Sequence, residues 1–547
     1  MSVLAKFAEV AKVFAQRRPS VRDLWNSRSG TFDRAHAIVP SDAVVDEPVT
    51  VTVQLWDEYE RLHAAERRFR VTATDDRATV PDRVTLRRAD DGYTTVDGLS
   101  FATPGTQYLT LTDEETGQQF HTNPIRVHES EPDRRTLWGD IHLHSRFSDG
   151  AGSMSKGMRF GRDVMALDVV AYTDHDTMGF FIPPQLQRWL MDRSNFEEMK
   201  ARTDRLDDPG EFVTLFAYEW TKQPHVGGHV NVYFRDTDGA VLFDSLTARS
   251  NTYEKLFDRL REYNAECDNE AVAIPHHPAE SMYPFDFAGV DYDDEVAPLV
   301  EVYSQWGSSE YPGSEGNRRP VTMGSGEIDA DGYYVRDALA LGNRVGMLAG
   351  SDYHGPHPGH SLVHTKPHLP SLAEWREDGI GWGHIWRVWN EPSHPGGLTA
   401  FRAESHTRDG VFDALSTRRV YGTTQPDRIL VDFSLGGISV GEAGSTVEID
   451  DPTAPRTLSI DVAGTAPIEV IEVIKNNRVW ETVEGTADPD AGLESFTLTA
   501  TLTDDEPVTG MAYDDERGTE DDCYYLRVVQ ADGGMAWVGP LWVTVRE

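Results

Sequence analysis

The sequence predicts an α/β plus β protein: a central parallel β/α sheet or barrel with a β-sandwich on either side. Three observations carry this. Both ends of the chain read as short runs of alternating apolar and polar residues broken by turns, with no helical period between them. The middle alternates short apolar strands with helical segments, the pattern of parallel sheets. Nearly every strand of that middle region ends in His, Asp or Glu.

Taken in order, residues 1–34 form an N-terminal helical segment. "MSVLAKFAEVAKVFAQRR" is amphipathic, and Lys6 and Lys12 inside it break the apolar core that a secretory signal needs. Arg17 and Arg18 precede polar residues, so an exported twin-arginine signal is not expected. Residues 35–132 form an Ig-like β-sandwich, with strands at "PVTVTVQLWD", "RRFRVTAT", "RVTLRRA", "TQYLTLTD" and "NPIRVHE". Residues 133–427 form the β/α region, with strands at "LDVVAYTD", "EFVTLFAYEW", "EAVAIPHH", "PLVEVYS" and "RVGMLAGSDYH" and a helix at "NTYEKLFDRLREYN". Residues 428–547 form a second β-sandwich, from "ILVDFSL" to "LWVTVRE", with a hairpin turn at "ADGGMAW".

A chain of 547 residues exceeds one hydrophobic core, so several domains are expected. The formal charge is −40, from 91 acidic against 51 basic residues, and lysine occurs only at 6, 12, 156, 200, 222, 255, 366 and 475. The acid is spread over the whole chain. Such a surface repels nucleic acid and anionic membranes at low salt, so neither is an expected partner. Spread acid with scarce lysine reads as adaptation to high salt, a halophilic trait. Two cysteines, Cys267 and Cys523, exclude a disulfide framework. No run approaches the roughly 20 apolar residues of a membrane span. A cytoplasmic location is the expectation.

The strand ends supply the chemistry. "WGDIHLHSRFSDG" gives Asp140, His142, His144 and Asp149; residues two apart on a strand share a face, so both imidazoles enter one space. "YTDHD" gives Asp174, His175 and Asp176, "AYEW" gives Glu219, "IPHHP" gives His276 and His277, "VEVYS" gives Glu301, and "GSDYH" gives Asp352 and His354. Each alone has a plain structural account, as a helix cap or a satisfied core histidine. Together they demand that five successive strands end in ligand-type residues. In β/α barrels the C-terminal strand ends share one site. Imidazole with carboxylate and no thiolate suits Zn, Mn or Fe, and the number of groups suits two or three divalent ions bridged by a carboxylate such as Glu219.

"GDIHLHSRFSDG", "ALDVVAYTDHD", "AIPHHP" and "AGSDYH" resemble the four motifs of the PHP (polymerase and histidinol phosphatase) superfamily, over about residues 137 to 427. Other stretches, such as "EWTKQPHVGGHVNVYF" and "YYLRVVQADGGMAWVGPLWV", resemble a long, uncharacterised PHP-like branch with flanking β-domains. The resemblance implies a distorted (β/α)7 barrel holding two or three metals, and commonly phosphate-ester hydrolysis. It implies His142, His144, Asp149, His175, Glu219, Asp352 and His354 as ligands, with either His276 or His277. It implies that Asp174 orients a ligand. Glu301 is the local match to the family's next ligand position.

Some groups outside the ligand set are candidates for substrate. His229, after two glycines, is a candidate general acid, and Asp174 stands with it in the catalytic set. Glu301, Arg344 and Arg418 are candidate contacts to a small anionic, phosphorylated substrate, although a surface ion pair accounts equally well for arginine in an acid-rich protein. The function expected is metal-dependent hydrolysis, foremost of a phosphoester. The alternatives are hydrolysis of an amide, lactone or sugar-derived ester, and a non-enzymatic carbohydrate- or partner-binding protein with structural metals.

Overall fold

A computed structural model describes residues 24–546 except 26, 178–190, 192, 324–325 and 390–392. Most of the expected N-terminal helical segment therefore lies outside the described residues. Its last residues belong to a strand, Phe32–Ile38. No helix among the described residues is long and apolar enough to cross a membrane.

The centre is one mixed sheet of fifteen strands. Its strands are β1 (Arg135–Asp140), β2 (Val169–Tyr172), β3 (Val213–Trp220), β4 (His229–Phe234), β5 (Ala271–His276), β6 (Leu299–Ser304), β7 (Gly346–Ala349), β8 (Gly397–Ala403) and β9 (Val420–Thr424), then β10 (Ile468–Lys475), β11 (Arg478–Glu484), β12 (Asp522–Gln530) and β13 (Met535–Val545). Two short strands, Gly307–Ser308 and Thr446–Ile449, complete it. The order is β6-β5-β4-β3-β2-β1-β8-β9-β13-β12-β10-β11, and β7 pairs with β6. Strands β1, β2 and β3 run parallel, as do β5, β6 and β7. Strand β4 runs against both of its neighbours, and β8 runs against β1.

The described residues do not show the expected (β/α)7 barrel. The described residues form a mixed α/β architecture with many strands and few helices. Between β3 and β5 an antiparallel strand stands where regular β/α alternation would place a helix and a parallel strand. The reason is local: "HVNVYF" follows β3 after a short loop, and antiparallel strands need no long crossover. The end of β7 lies against β8, where Thr399 Oγ1 donates to the Ala349 carbonyl at 2.7 Å and the Gly397 N–H donates to Gly350 O at 2.8 Å.

The strands alternate in a way that builds the site. Val213, Leu215 and Ala217 on β3, Val272 and Ile274 on β5, Leu299 on β6 and Leu348 on β7 share one apolar cluster with Phe412 and Leu415 of the helix Arg408–Ser416. The next residues of the same parity on β3, β5 and β6 are Glu219, His276 and Glu301, and Asp352 follows three residues past the end of β7. A period of two therefore places an apolar floor under a polar end. Removing one floor side chain, as in Leu215→Ala, removes buried apolar surface and leaves a cavity.

The N-terminal strands form small sheets over one core. Val53 and Leu55, from Val49–Asp57, pack with Phe69, Leu111 and Ile125 from the facing strands. This unit leans on the central one through Trp56, whose ring stacks on His360 with centroids 3.8 Å apart. The C-terminal strands are not a separate sheet: β13 pairs with β9 through Gly422 and Trp537 and continues the central sheet. A second four-stranded sheet (Leu430–Leu435, Ile438–Ser439, Arg456–Ala463, Thr497–Asp504) packs against it.

Buried charge in this C-terminal part is paired. Asp504 receives Arg456, Lys475 and the Tyr524 hydroxyl. Burial opposes its ionisation, but hydrogen bonds from Lys475, Tyr524 and Arg456 outweigh that and hold its pKa at about 2, below the ordinary 3.8. A carboxyl depressed on folding contributes stability above its unfolded pKa and loses it as pH falls through the folded value. The stability difference between wild type and Asp504→Asn should be largest above pH 4 and vanish toward pH 2, as measured by urea unfolding across that range.

Candidate metal centre

The polar end of the sheet gathers His, Asp and Glu from every central strand up to β7. Glu219, the penultimate residue of β3, is its hub. Its Oε2 lies 3.2 Å from His144 Nε2, 3.5 Å from His142 Nε2 and 3.6 Å from His276 Nε2. Its Oε1 lies 2.6 Å from His229 Nδ1 and 3.0 Å from His175 Nδ1. Asp352 is the second hub, 3.0 Å from His144 Nε2 and 3.4 Å from His142 Nε2. Asp149 Oδ1 faces His354 Nε2 at 3.4 Å and His175 Nε2 at 3.6 Å.

Four sets of ligand atoms converge to within 4.8 Å: His142, His144, Glu219 and Asp352; His144, Asp149, His175 and His354; His175, Glu219 and His229; and His229, His276 and His277. All of these residues are buried except Asp149, which is half-buried and marks the side open to solvent.

The donor set fits divalent cations. His142 Nε2, His144 Nδ1 and Nε2, His276 Nδ1 and Nε2, Asp149 Oδ1, Glu219 Oε2 and Asp352 Oδ1 are buried and make no hydrogen bond among the described residues. Buried polar atoms are ordinarily paired, so a convergent group of orphans calls for a shared partner. Burial opposes charge on Glu219 and Asp352, but the facing imidazoles overcome it and hold both carboxyls well below the usual range. Burial also disfavours charge on His144, yet Asp352 and Glu219 push its pKa up to about 10. Burial and neighbouring positive charge lower His276 to about 3 and His354 to about 4. Ionised carboxylate and neutral imidazole are the ligating forms. The acid here draws positive charge, which among the described residues at the cluster comes from protonated histidine.

The supporting layer is built with equal care. Glu301 accepts from His142 Nδ1 at 2.9 Å and 3.0 Å, which leaves Nε2 aimed into the cluster. A carboxylate of this kind fixes the tautomer and raises ligand basicity. Glu301→Gln is therefore expected to weaken Zn or Mn affinity roughly 10–100-fold with the fold intact, read by competition with a chelating dye. Gly350 lies just behind: a Cβ there would sit 2.4 Å from Glu301 Oε2.

Asp174 is buried under the loop that carries Asp149. It accepts from the Ser145 N–H and hydroxyl at 2.8 and 2.7 Å and from the Ser148 N–H and hydroxyl at 3.1 and 2.6 Å. Asp140 ties the exit of β7 to β1 by accepting from the Ser351 and Gly359 N–H groups and from Gln425 Nε2. Asp352 and His277 have positive φ, 52° and 33°. That left-handed conformation costs about 1–3 kcal/mol at a non-glycine residue and persists only where the surroundings impose it. Trp306 Nε1 donates to Asp352 Oδ2 at 2.6 Å and Gln305 Nε2 to its carbonyl at 2.5 Å.

The structure thus brings together His142, His144, Asp149, His175, Glu219, His276, His277, Asp352 and His354. Both His276 and His277 face the cluster, His277 at 3.9 Å from Asp352 Oδ2. Other expectations need correction. His229, the candidate general acid, stands among the ligand-type groups, with Nδ1 against Glu219 and Nε2 3.2 Å from the Lys222 carbonyl. Asp174 touches the loop and not the cluster. Glu301 is walled behind His142 and is no substrate contact. Arg344 binds Thr446, Asp521 and Thr544 against the C-terminal strands. Arg418 packs on Gly346, at the start of β7 and the far end from Asp352, and donates to the Arg344 and Asp294 carbonyls. His360 stacks on Trp56.

Aromatic residues with no sequence signal line the cluster. Trp386, on the helix Trp382–Trp389, stands 4.7 Å from His354 and 4.7 Å from Trp306, ring centre to ring centre. The start of that helix also holds the ligand loops, since the Trp382 and Gly383 N–H groups donate to the Asp149 and His354 carbonyls. Tyr283 lies against His229, with centroids 4.3 Å apart.

Fold and site together define a mixed α/β protein with a buried histidine–carboxylate cluster able to hold divalent metal. Residues 163–311 match the model of a family described as a protein of unknown function, DUF3604. The chain is 26% identical over 525 residues to an uncharacterized protein of Chlamydia pneumoniae, covering 94% of this chain and 74% of that one. It is 24% identical over 524 residues to an uncharacterized protein of Chlamydia trachomatis, covering 94% and 75%. Among solved structures it is similar to a two-domain protein of Bacteroides vulgatus containing a predicted PHP-like metal-dependent phosphoesterase, at 14% identity over 75% of this chain and 96% of that one, with a TM-score of 0.33.

Proposed function

We propose that this protein is a metal-dependent hydrolase, foremost a phosphoesterase, working with two or three divalent cations. One observation carries the reading: a buried carboxylate, Glu219, faces five imidazoles, and the orphaned lone pairs around it converge in overlapping sets. Bound cations in such a centre supply Lewis acidity and a water of lowered pKa. The chain does the rest. His142, His144 and Asp352 form one part of the cradle, and Asp149, His175 and His354 form another, joined through His144. Glu301 keeps His142 in the tautomer whose Nε2 would ligate. Asp174 holds the Asp149 loop, so the half-buried carboxylate stays at the mouth where substrate enters.

A second reading, hydrolysis of an amide, lactone or sugar-derived ester, is favoured by one observation. Arg344 and Arg418, the expected complements of an anion, are committed elsewhere, and aromatic rings stand beside the cluster instead. The test is elemental analysis of the purified protein, followed by hydrolysis of a phosphoester and ester panel by Zn- and Mn-loaded protein. Phosphoester turnover that His142→Ala abolishes supports the reading. Full metal occupancy with ester turnover alone selects the second reading, and occupancy with no turnover rejects both.

A further inference from the structure

Tyr283 belongs to a turn built to hold it at the mouth of the cluster. The turn follows His276 and His277 and is fastened from within: the buried Glu280 carboxylate accepts from the Met282 and Tyr283 N–H groups at 2.9 and 2.7 Å, and the Phe285 N–H donates to Pro278 O at 2.9 Å. It is also fastened from outside. The His225 N–H donates to Met282 O, and Gly228 lies so close that a Cβ would sit 2.9 Å from the Tyr283 carbonyl and from the Phe285 N. Tyr253 closes the back, donating to Gly228 O at 3.1 Å while its ring stands 4.5 Å from Phe285.

This frame sets the Tyr283 ring over His229 and 6.4 Å from His277. Burial pushes the Tyr283 phenol well above its ordinary range, and the Glu280, Asp149 and Glu219 carboxylates add to that. Tyr283, Asp149 and Trp386 are half-buried beside an otherwise buried cluster, so they border its solvent-facing side. The hydroxyl makes no hydrogen bond to another described residue. A rigidly held phenol beside a cation-binding cluster is a donor placed before its acceptor arrives.

We propose that Tyr283 is a substrate-contacting residue whose hydroxyl donates a hydrogen bond to an oxygen of the molecule bound at the cluster. The proposal rests on the hydrolase reading but not on which ester is cleaved, because phosphate and carboxylate oxygens both accept such a bond. The test is calorimetric titration of Zn-loaded wild type, Y283F and Tyr283→Leu with inorganic phosphate and, separately, with acetate, alongside metal stoichiometry. Y283F should keep the wild-type metal content and bind the anion roughly 10- to 100-fold more weakly, the worth of a hydrogen bond to a charged acceptor. Binding of acetate alone, weakened in Y283F, upholds Tyr283 and rejects the phosphoester reading. Wild-type affinity in Y283F overturns the proposal, whether or not Tyr283→Leu is impaired, since the ring alone would then matter. Failure of the wild type to bind either anion overturns it as well.

Discussion

Glu219→Gln is expected to strip bound ions from the candidate metal centre. The substitution keeps size and shape but replaces an ionised hub that faces His142, His144, His175, His229 and His276 with a neutral amide. Loss of an outer partner to a ligand costs roughly 10–100-fold in metal affinity, and loss of a shared carboxylate ligand should exceed that range. Elemental analysis should show fewer bound ions per chain, and hydrolysis should fall to background at ordinary metal concentrations. Circular dichroism should remain native, because the apolar floor of Leu215, Ala217, Ile274 and Leu299 is untouched. Retention of full metal content in this variant would remove Glu219 from the ligand set.

Glu310→Ala should destabilise the whole protein. Glu310 follows β6 and is buried, and it accepts from Tyr525 and Arg527 on β12 and from Trp537 on β13 at 2.8, 2.6 and 2.7 Å. It thereby pins the region beside the metal centre to the C-terminal strands. Truncation leaves the Arg527 charge buried with Glu472 as its remaining partner, and strands two further donors. Breaking a buried pair by removing one member costs about 3–5 kcal/mol. The urea midpoint should fall accordingly, with metal content unchanged in the folded fraction. A shift under about 1 kcal/mol, typical of exposed pairs, would show that solvent screens this carboxylate.

The candidate site was legible because strand chemistry is local. A strand that ends "YTDHD" or "AYEW" puts its ligand-type residue at a fixed position relative to its apolar run, and parallel strands bring those positions to one end. That logic reaches His142, His144, His175, Glu219, His276 and Asp352. It does not reach His229, which joins the same end from the start of an antiparallel strand. The direction of β4 depends on pairing with β3 and β5, which the "HVNVYF" run does not encode by itself. The charged candidates Arg344 and Arg418 failed for a related reason. A charge pattern says that arginine needs a partner, and only packing says which.

The fold divides in the same way. Alternation and turn residues determined the strands, the apolar floor and the identity of nearly all the cluster residues, because these follow from backbone period and side-chain polarity. Tertiary structure alone decided that β13 continues the central sheet through Trp537, and that Glu301 stands behind His142 rather than before a substrate. It alone brought Tyr283 over His229 and Trp386 beside His354. These are contacts between residues distant in sequence, set by which surfaces bury each other, and no local period records them.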